Sequence, residues 1–490
     1  MPSADFTPDE VIPRALSPRL VRRAAVIAVV APFLWFGAAG AHYLWDSREA
    51  DRRASLAFGL ALPCPTSSQR FLVFAPHPDD EVLGCGGLIK QAREAGAAVR
   101  VVYLTNGDGF RYAVERQYRT IATSAADFVR FGELRQEEAL RAMAELGLTS
   151  ANVGFLGYPD GSLLELWRRN WSEHACLRSP YTRAERVPYR RAERPDALYC
   201  GAALLSLVER EISDFRPTDV LVTHPADDHR DHAAASAFVT LAVTRIREAS
   251  RAPDAVCRLR YYLIHRGNWP QPQGRHTRMR LAPPAEMLGL DTQWEGRALT
   301  HAQVRAKERA IRSYRSQMGL MGRFLLSFAR TSEPFGDLRP VSVDAGGPGR
   351  GMQRGLTLAV NPTADNLMRR FRPQADIRSV EVQREGDRIV LAVRTVGRPT
   401  RATSARMFVR YFAAPGCGEA GGALSLGLRG ARVRGADGAT GGSDRTGFSA
   451  SLPASLLEGA EALSVDVETV EANTIVDRTG PRAVLVKGRN

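Results

Sequence analysis

The chain has 490 residues, too many for one ordinary hydrophobic core, so two folded domains with accessory segments are expected. A hydrophobic fraction of 44% and a charged fraction of 24% are those of a globular protein and exclude a disordered one. The net charge of +14 raises nucleic acid as a partner. That positive charge is nearly all arginine spread evenly along the chain, with lysine only at Lys90, Lys307 and Lys487, and no nucleic-acid motif accompanies it, so no nucleic-acid partner is expected.

Residues 1–23 read as a cytoplasmic tail. From Ala24 to Trp45 there are 22 residues without a charge, enough to cross a bilayer as a transmembrane helix. Arg14, Arg19, Arg22 and Arg23 precede this run and favour a cytoplasmic N-terminus. The expectation is a single-pass anchor at 24–45 in a bacterial inner membrane, with the catalytic part on the periplasmic side and the membrane as partner through this helix. Ala39-Gly40-Ala41 resembles a small-residue cleavage site, so a removable signal peptide and an exported soluble form stay open as the alternative. Residues 46–67 read as a linker.

From residue 68 the chain alternates strand and helix. Phe71-Leu72-Val73-Phe74-Ala75 is an apolar run closed by Pro76, the pattern of a buried parallel strand, and a helix begins near Val82. Further strands are expected over 98–104, 152–156 and 219–223, and helices over 133–146 and 204–215. Residues 302–330 have the spacing of one long closing helix. This order predicts an α/β domain over 68–336, a doubly wound, mostly parallel sheet of Rossmann type with helices on both faces.

Two motifs sit in strand-to-helix turns, the edge at which open α/β sheets bind ligands. The first is Pro76-His77-Pro78-Asp79-Asp80-Glu81; the second is His224-Pro225-Ala226-Asp227-Asp228-His229-Arg230-Asp231-His232. His77 and Asp80 are three apart, which brings both side chains to one side of a tight turn and points Asp79 elsewhere. A lone His-Pro-Asp is ordinary turn chemistry; two such motifs in order, each after a strand, weigh toward a metal site. Two imidazoles and a carboxylate leave zinc an open position, as in catalytic and not structural sites.

These residues resemble the LmbE/PIG-L family of zinc-dependent N-deacetylases, whose Ala/Pro-His-Pro-Asp-Asp-Glu and His-x-Asp-His motifs are matched at 76–81 and at His229, Asp231 and His232. The resemblance implies an LmbE-like fold, Zn2+ held by His77, Asp80 and His232, and Asp79 as general base. It implies His229 at the oxyanion or leaving amine, with Asp231 orienting its ring. Arg135 and Asp160, in weaker family features, are implied at the substrate. Arg135 has a second reading as a surface partner of Glu138 at i,i+3. Some members carry a tyrosine where this chain has Asp227, so no tyrosine is assigned there. His224 reads as structural and Cys85 as a small buried apolar residue. The implied function is removal of an acetyl group from an N-acetylglucosamine-type sugar or glycoconjugate. The alternatives are a zinc amidase on another amide, such as a thiol conjugate, and a catalytically idle carbohydrate-binding protein. The N-acetylated glycan is the expected substrate partner; the sequence names no protein partner.

Between Leu164 and Tyr199 lies an arginine- and aromatic-rich insertion that reads either as a wall of the glycan site or as a solvated loop over hydrophobic surface. Cys176 and Cys200 flank it, as a disulfide pair or as free thiols. After a glycine-rich stretch at 346–351, short alternating runs follow without a helical period. Residues 337–490 therefore read as a C-terminal β-sandwich-like accessory domain, separable from catalysis.

Overall fold

The computed structural model describes residues 18–249, 257–338, 341–344, 355–413, 421–457 and 460–487. Most of the tail expected at 1–23, and the glycine-rich stretch at 346–351, lie outside them. By compactness the chain divides into Met1–Glu49 and Ala50–Asn490.

Helix α1 spans Pro18–Ala57 and contains the uncharged run. Among the described residues no helix is long and apolar enough to cross a membrane, so the membrane-spanning reading of 24–45 is not supported. The run is rich in alanine and includes Pro32, Gly37, Gly40 and His42, which leaves it uncharged without making it strongly apolar throughout. The expected linker 46–67 is not free either. The helix continues to Ala57, Ala54 and Phe58 are buried beside Ala282, and the backbone of Gly59 and Leu62 bonds to both sides of Gly296.

The α/β domain runs through β1 (Arg70–Ala75), α2 (Asp80–Glu94), β2 (Ala98–Thr105), α3 (Arg111–Tyr118), α4 (Ala125–Glu145), β3 (Val153–Tyr158), α5 (Leu163–Arg168), α6 (Gly201–Phe215), β4 (Asp219–Thr223), α7 (Arg230–Ala249), β5 (Arg258–Tyr262), β6 (Thr292–Ala298), α8 (His301–Ser313), α9 (Arg315–Leu326) and β7 (Ser332–Leu338). Its sheet has the order β3-β2-β1-β4-β5-β7-β6, parallel through β5 and antiparallel at β7 and β6. Alternation along β1 divides the core: Phe71, Val73 and Ala75 pack under α2 and α8, while Leu72 and Phe74 pack under α6 and α7. The order reverses between β1 and β4, so their carboxyl ends flank the crevice where open α/β sheets place a ligand.

The expected long helix at 302–330 is broken at Tyr314, which leaves the helical region (φ −81°, ψ 63°) between α8 and α9. Its hydroxyl donates to Glu81 Oε1 at 2.5 Å, so the break is fixed by a tertiary contact beneath the first motif.

The C-terminal strands are β8 (Val341–Asp344), β9 (Leu356–Val360), β10 (Ile377–Glu385), β11 (Arg388–Thr395), β12 (Thr403–Ala413), β13 (Gly422–Arg429), β14 (Arg432–Arg434), β15 (Thr440–Ser443), β16 (Gly447–Pro453), β17 (Ala460–Glu471), β18 (Thr474–Arg478) and β19 (Arg482–Lys487). They form two sheets, β15-β16-β11-β10-β9 and β14-β13-β12-β17-β19-β8 with β18 on β17, closed over a shared core that includes Ile377, Leu391, Met407 and Val465. The sandwich is bound tightly to the α/β domain. Arg168 pairs with Asp466 and Glu468, Arg410 donates to the carbonyls of Trp167 and Arg168, and Phe412 packs on Trp167 and Trp171. By compactness the α/β domain and the sandwich fall within one unit from Ala50 onward.

Candidate active site

Asp79 caps α2 with φ 123° and ψ −30°, a conformation that non-glycine residues avoid. Such backbone persists where its surroundings hold it, at a cost of about 1–3 kcal/mol. Here Asp79 N–H donates to Glu81 Oε2 at 3.0 Å, Asp79 O accepts from Val82 and Leu83, and Arg135 donates to Pro78 O and, at 3.1 Å, to Asp79 Oδ2. Below this turn α2 is clamped: Lys307 Nζ donates to Leu83 O and to Glu333 Oε1, both at 2.7 Å, and Glu333 accepts from Gly87 and Leu88 N–H. A side chain at Gly84 would strike the Tyr262 ring at 2.2 Å, so glycine lets the helix lie this close to β5.

The turn brings His77 and Asp80 against His232, on the first turn of α7. His77 Nδ1, Asp80 Oδ2 and His232 Nε2 stand 3.1, 3.1 and 3.2 Å from one another. Behind His232, its Nδ1 lies 3.2 Å from Asp227 Oδ2, and Asp227 is itself fixed by the N–H groups of His229, Ile264 and His265. Behind His77, its Nε2 lies 3.1 Å from Asp160 Oδ1 and 3.4 Å from Asp231 Oδ2. Carboxylates that fix the far nitrogen of an imidazole are the usual support of a metal-ligating histidine.

Burial alone would lower both imidazole pKa values. Asp160 nonetheless holds His77 well above the ordinary range, and Asp80 with Asp227 holds His232 up at about 9. The pocket therefore draws positive charge, yet two ring nitrogens facing each other at 3.2 Å cannot both carry it as protons. A divalent cation shared by His77, Asp80 and His232 satisfies both, and the nitrogen and oxygen donors suit zinc. Asp79 stands beside this set, its carboxyl pushed up to about 7 by burial against the opposing pull of Arg135.

His229 is brought to the same cleft, its ring 4.7 Å from that of His232 and 4.8 Å from that of His77. Burial, with His232 and His77 as neighbours, holds its pKa well below the ordinary value. The expected link from the Asp231 carboxylate to His229 is not made. That carboxylate accepts from Gly161 and Leu163 N–H at 2.7 and 3.0 Å, and it is the backbone N–H of Asp231 that donates to His229 Nδ1 at 3.3 Å. Residues two apart at a helix start point to different sides, so Asp231 supports His77 instead.

Asp160 lines the cleft, with one oxygen toward His77 and the other accepting from Gly109 N–H at 2.8 Å. Arg135 also lines the cleft and pairs with Asp79; Glu138 turns away to Ser316. His224 is structural, bonded to Thr292 Oγ1 at 2.9 Å and to Ala226 N–H. Cys85 is buried in the core. Cys176 and Cys200 are free thiols. Of the insertion's aromatic residues, Tyr181 lines the cleft, whereas Trp167, Trp171, Tyr189 and Tyr199 are core.

Two groups were not foreseen. His265 follows β5, stacks on Phe324 at 5.2 Å and faces the cleft with its ring 5.1 Å from His232. Its one sequence signal is position, a histidine just past the carboxyl end of a strand. The supporting role of Asp227 was hidden by comparing that position with a tyrosine. The cleft holds about 300 Å3.

Residues 72–243 match the family profile described as PIG-L, GlcNAc-PI de-N-acetylase. The chain is 32% identical over 179 residues to a 1D-myo-inositol 2-acetamido-2-deoxy-alpha-D-glucopyranoside deacetylase of Mycobacterium sp. (strain KMS), covering 36% of this chain and 50% of that protein. It is 30% identical over 199 residues to deacetylase 1 of the same description from Saccharopolyspora erythraea, covering 39% and 59%. The chain thus spans about half the length of these curated relatives. Among solved structures it is similar to the conserved protein TT1542 from Thermus thermophilus (25% identity, 56% of this chain, 96% of that chain, TM-score 0.32). It is also similar to the N,N'-diacetylchitobiose deacetylase from Pyrococcus horikoshii (17% identity, 55% and 82% covered, TM-score 0.34). Both histidine motifs, at 76–81 and 224–232, lie inside the residues that match this PIG-L profile.

Proposed function

We propose that the chain is a zinc-dependent hydrolase that removes the acetyl group from an N-acetylglucosamine-type sugar, releasing acetate and a free amine. The observation that carries this reading is the triangle of His77 Nδ1, Asp80 Oδ2 and His232 Nε2, with the buried carboxyl of Asp79 beside it and outside it. The relatives, by their descriptions, act on an acetamido sugar linked to inositol, which supports the substrate class.

His77, Asp80 and His232 would hold the ion and leave a position open. When bound, the ion lowers the pKa of water and polarises an amide carbonyl. Asp79, with Arg135 and the Glu81-bound N–H fixing its place, takes a proton from the attacking water and returns it to the departing nitrogen. His229 accepts from the Asp231 N–H through Nδ1, so in its neutral form Nε2 carries the proton and donates to the carbonyl oxygen as charge builds there. Tyr181 and Phe110 wall the cleft against the sugar.

The test is acetate release from free N-acetylglucosamine, its inositol glycoside, chito-oligosaccharides and lipid-linked glycans, before and after chelation and with zinc added back. Release that is lost to chelator and restored by zinc is expected. Release indifferent to chelator overturns the metal reading, and a zinc-loaded protein that hydrolyses none of these overturns the sugar reading.

Export of the chain is a separate proposal, supported by the arginines ahead of the uncharged run and by Ala39-Gly40-Ala41. A reporter fused after residue 60 should be active outside the cytoplasm; activity inside only would refute it.

A further inference from the structure

Behind the catalytic loop lies a second cavity of about 390 Å3, against about 300 Å3 for the cleft, and the two share no lining residue. Its walls come from both domains: α7 and β5 on one side, β9 and β19 on the other. Its volume is within the range of small-molecule sites, about 300–1,000 Å3.

Four of the lining side chains are cationic, Arg247, Arg258, Arg260 and Arg482, against the two carboxylates of Asp291 and Asp337. Arg260 is paired with Glu295 at 2.9 Å, whereas Arg482 and Arg247 are matched less closely. Arg482 is 7% exposed, and its Nη2 is no nearer than 3.7 Å to Asp291. Arg247 donates to the carbonyl of Cys257 through Nη2 and, among the described residues, forms no ion pair with a carboxylate. Asp291 is engaged elsewhere, accepting from Thr292 Oγ1 at 3.2 Å and Val360 N–H at 3.3 Å. A nearly buried arginine whose carboxylate stands beyond hydrogen-bond reach, in a lining with more arginines than carboxylates, leaves the cavity with positive charge that an anion would offset. Hydroxyls line the same space, including those of Thr240 and Tyr261, 2.8 Å apart.

We propose that this cavity is a binding site for a sugar bearing a carboxylate or a phosphate. Arg482 and Arg247 hold the anionic group, and the threonine and tyrosine hydroxyls meet those of the sugar. The ligand touches both domains at once, and it lies beside Pro225 at the base of the loop that carries His229 and leads into α7.

The experiment is titration calorimetry on the full-length, zinc-loaded chain with glucuronate, glucose 6-phosphate, inorganic phosphate and glucose. Saturable binding of one or both charged sugars, with none of glucose, is expected. Arg482→Gln and Arg247→Gln should each weaken it at least about tenfold, while acetate release from N-acetylglucosamine stays unchanged. Binding of glucuronate alone or of glucose 6-phosphate alone supports the site and identifies the anion. Absence of binding by both charged sugars, equal binding of glucose, or binding of inorganic phosphate alone overturns the proposal. So does full affinity in Arg247→Gln, the variant that carries the test if Arg482→Gln fails to fold.

Discussion

The catalytic edge and the seam between the two domains both bury many charges, and they balance them in opposite ways. At the seam two buried arginines meet their carboxylates directly: Arg168 has Asp466 and Glu468, and Arg369 has Asp228, Asp365 and Asp477. At the edge, Asp80, Asp160, Asp227 and Asp231 gather around two imidazoles whose ring nitrogens face each other. Charge matched within the chain holds the fold together, whereas charge left to converge on one point is addressed to something the chain must bind. The seam also reaches the edge, because Arg369 and Arg266 hold Asp228, the neighbour of His229.

Substitutions can test this contrast. The largest effect is expected at Asp79, which touches the reaction but not the proposed ligand triangle. Asp79→Asn should retain stoichiometric zinc by metal analysis and lose about 10²- to 10⁴-fold in kcat. Unchanged turnover in a zinc-loaded variant would remove Asp79 from its assigned role. At the seam the cost should fall on stability. Arg168→Ala strands Asp466 and Glu468 in a buried place, and breaking such a pair costs about 3–5 kcal/mol. Denaturant titration would read this, and zinc affinity of the folded fraction should be kept; a wild-type midpoint would show the seam to be ornamental. A chain ended near residue 340 should fail in the same direction and more severely. The smallest effect belongs to Asp227→Asn, which weakens the support of His232 without removing a ligand: about 10- to 100-fold in zinc affinity, by competition with a chelating dye. An unaltered affinity would mean that His232 is held by its helix alone.

What could be read in the sequence followed how local each feature is. His77, Asp79, Asp80, His229 and His232 lie in two short turns, so their spacing alone assembles most of the site. His265, Asp227 and the link between Asp231 and His77 depend on which loops meet in space, and no local pattern marks them. The central strands were legible because parallel strands buried on both faces are continuous apolar runs. Strands β5, β6 and β7 carry Arg258, Arg260, Glu295, Arg297, Glu333 and Pro334 and blend into their loops. The helix at 302–330 kept its apolar spacing straight through Tyr314, where a hydrogen bond to a glutamate 233 residues away breaks it.

The seam also sets an order of events in synthesis. Trp167 and Trp171, packed on Phe238, receive cover from Phe412, and β8 pairs in parallel with β19. At about 5–20 residues per second, the 245 residues from Trp167 to Phe412 take roughly 12–50 s to emerge. For that time a ribosome-bound α/β domain presents two tryptophans without the ring of Phe412. A chaperone that binds aromatic surface has its window on this chain there, and closure of the sandwich ends it.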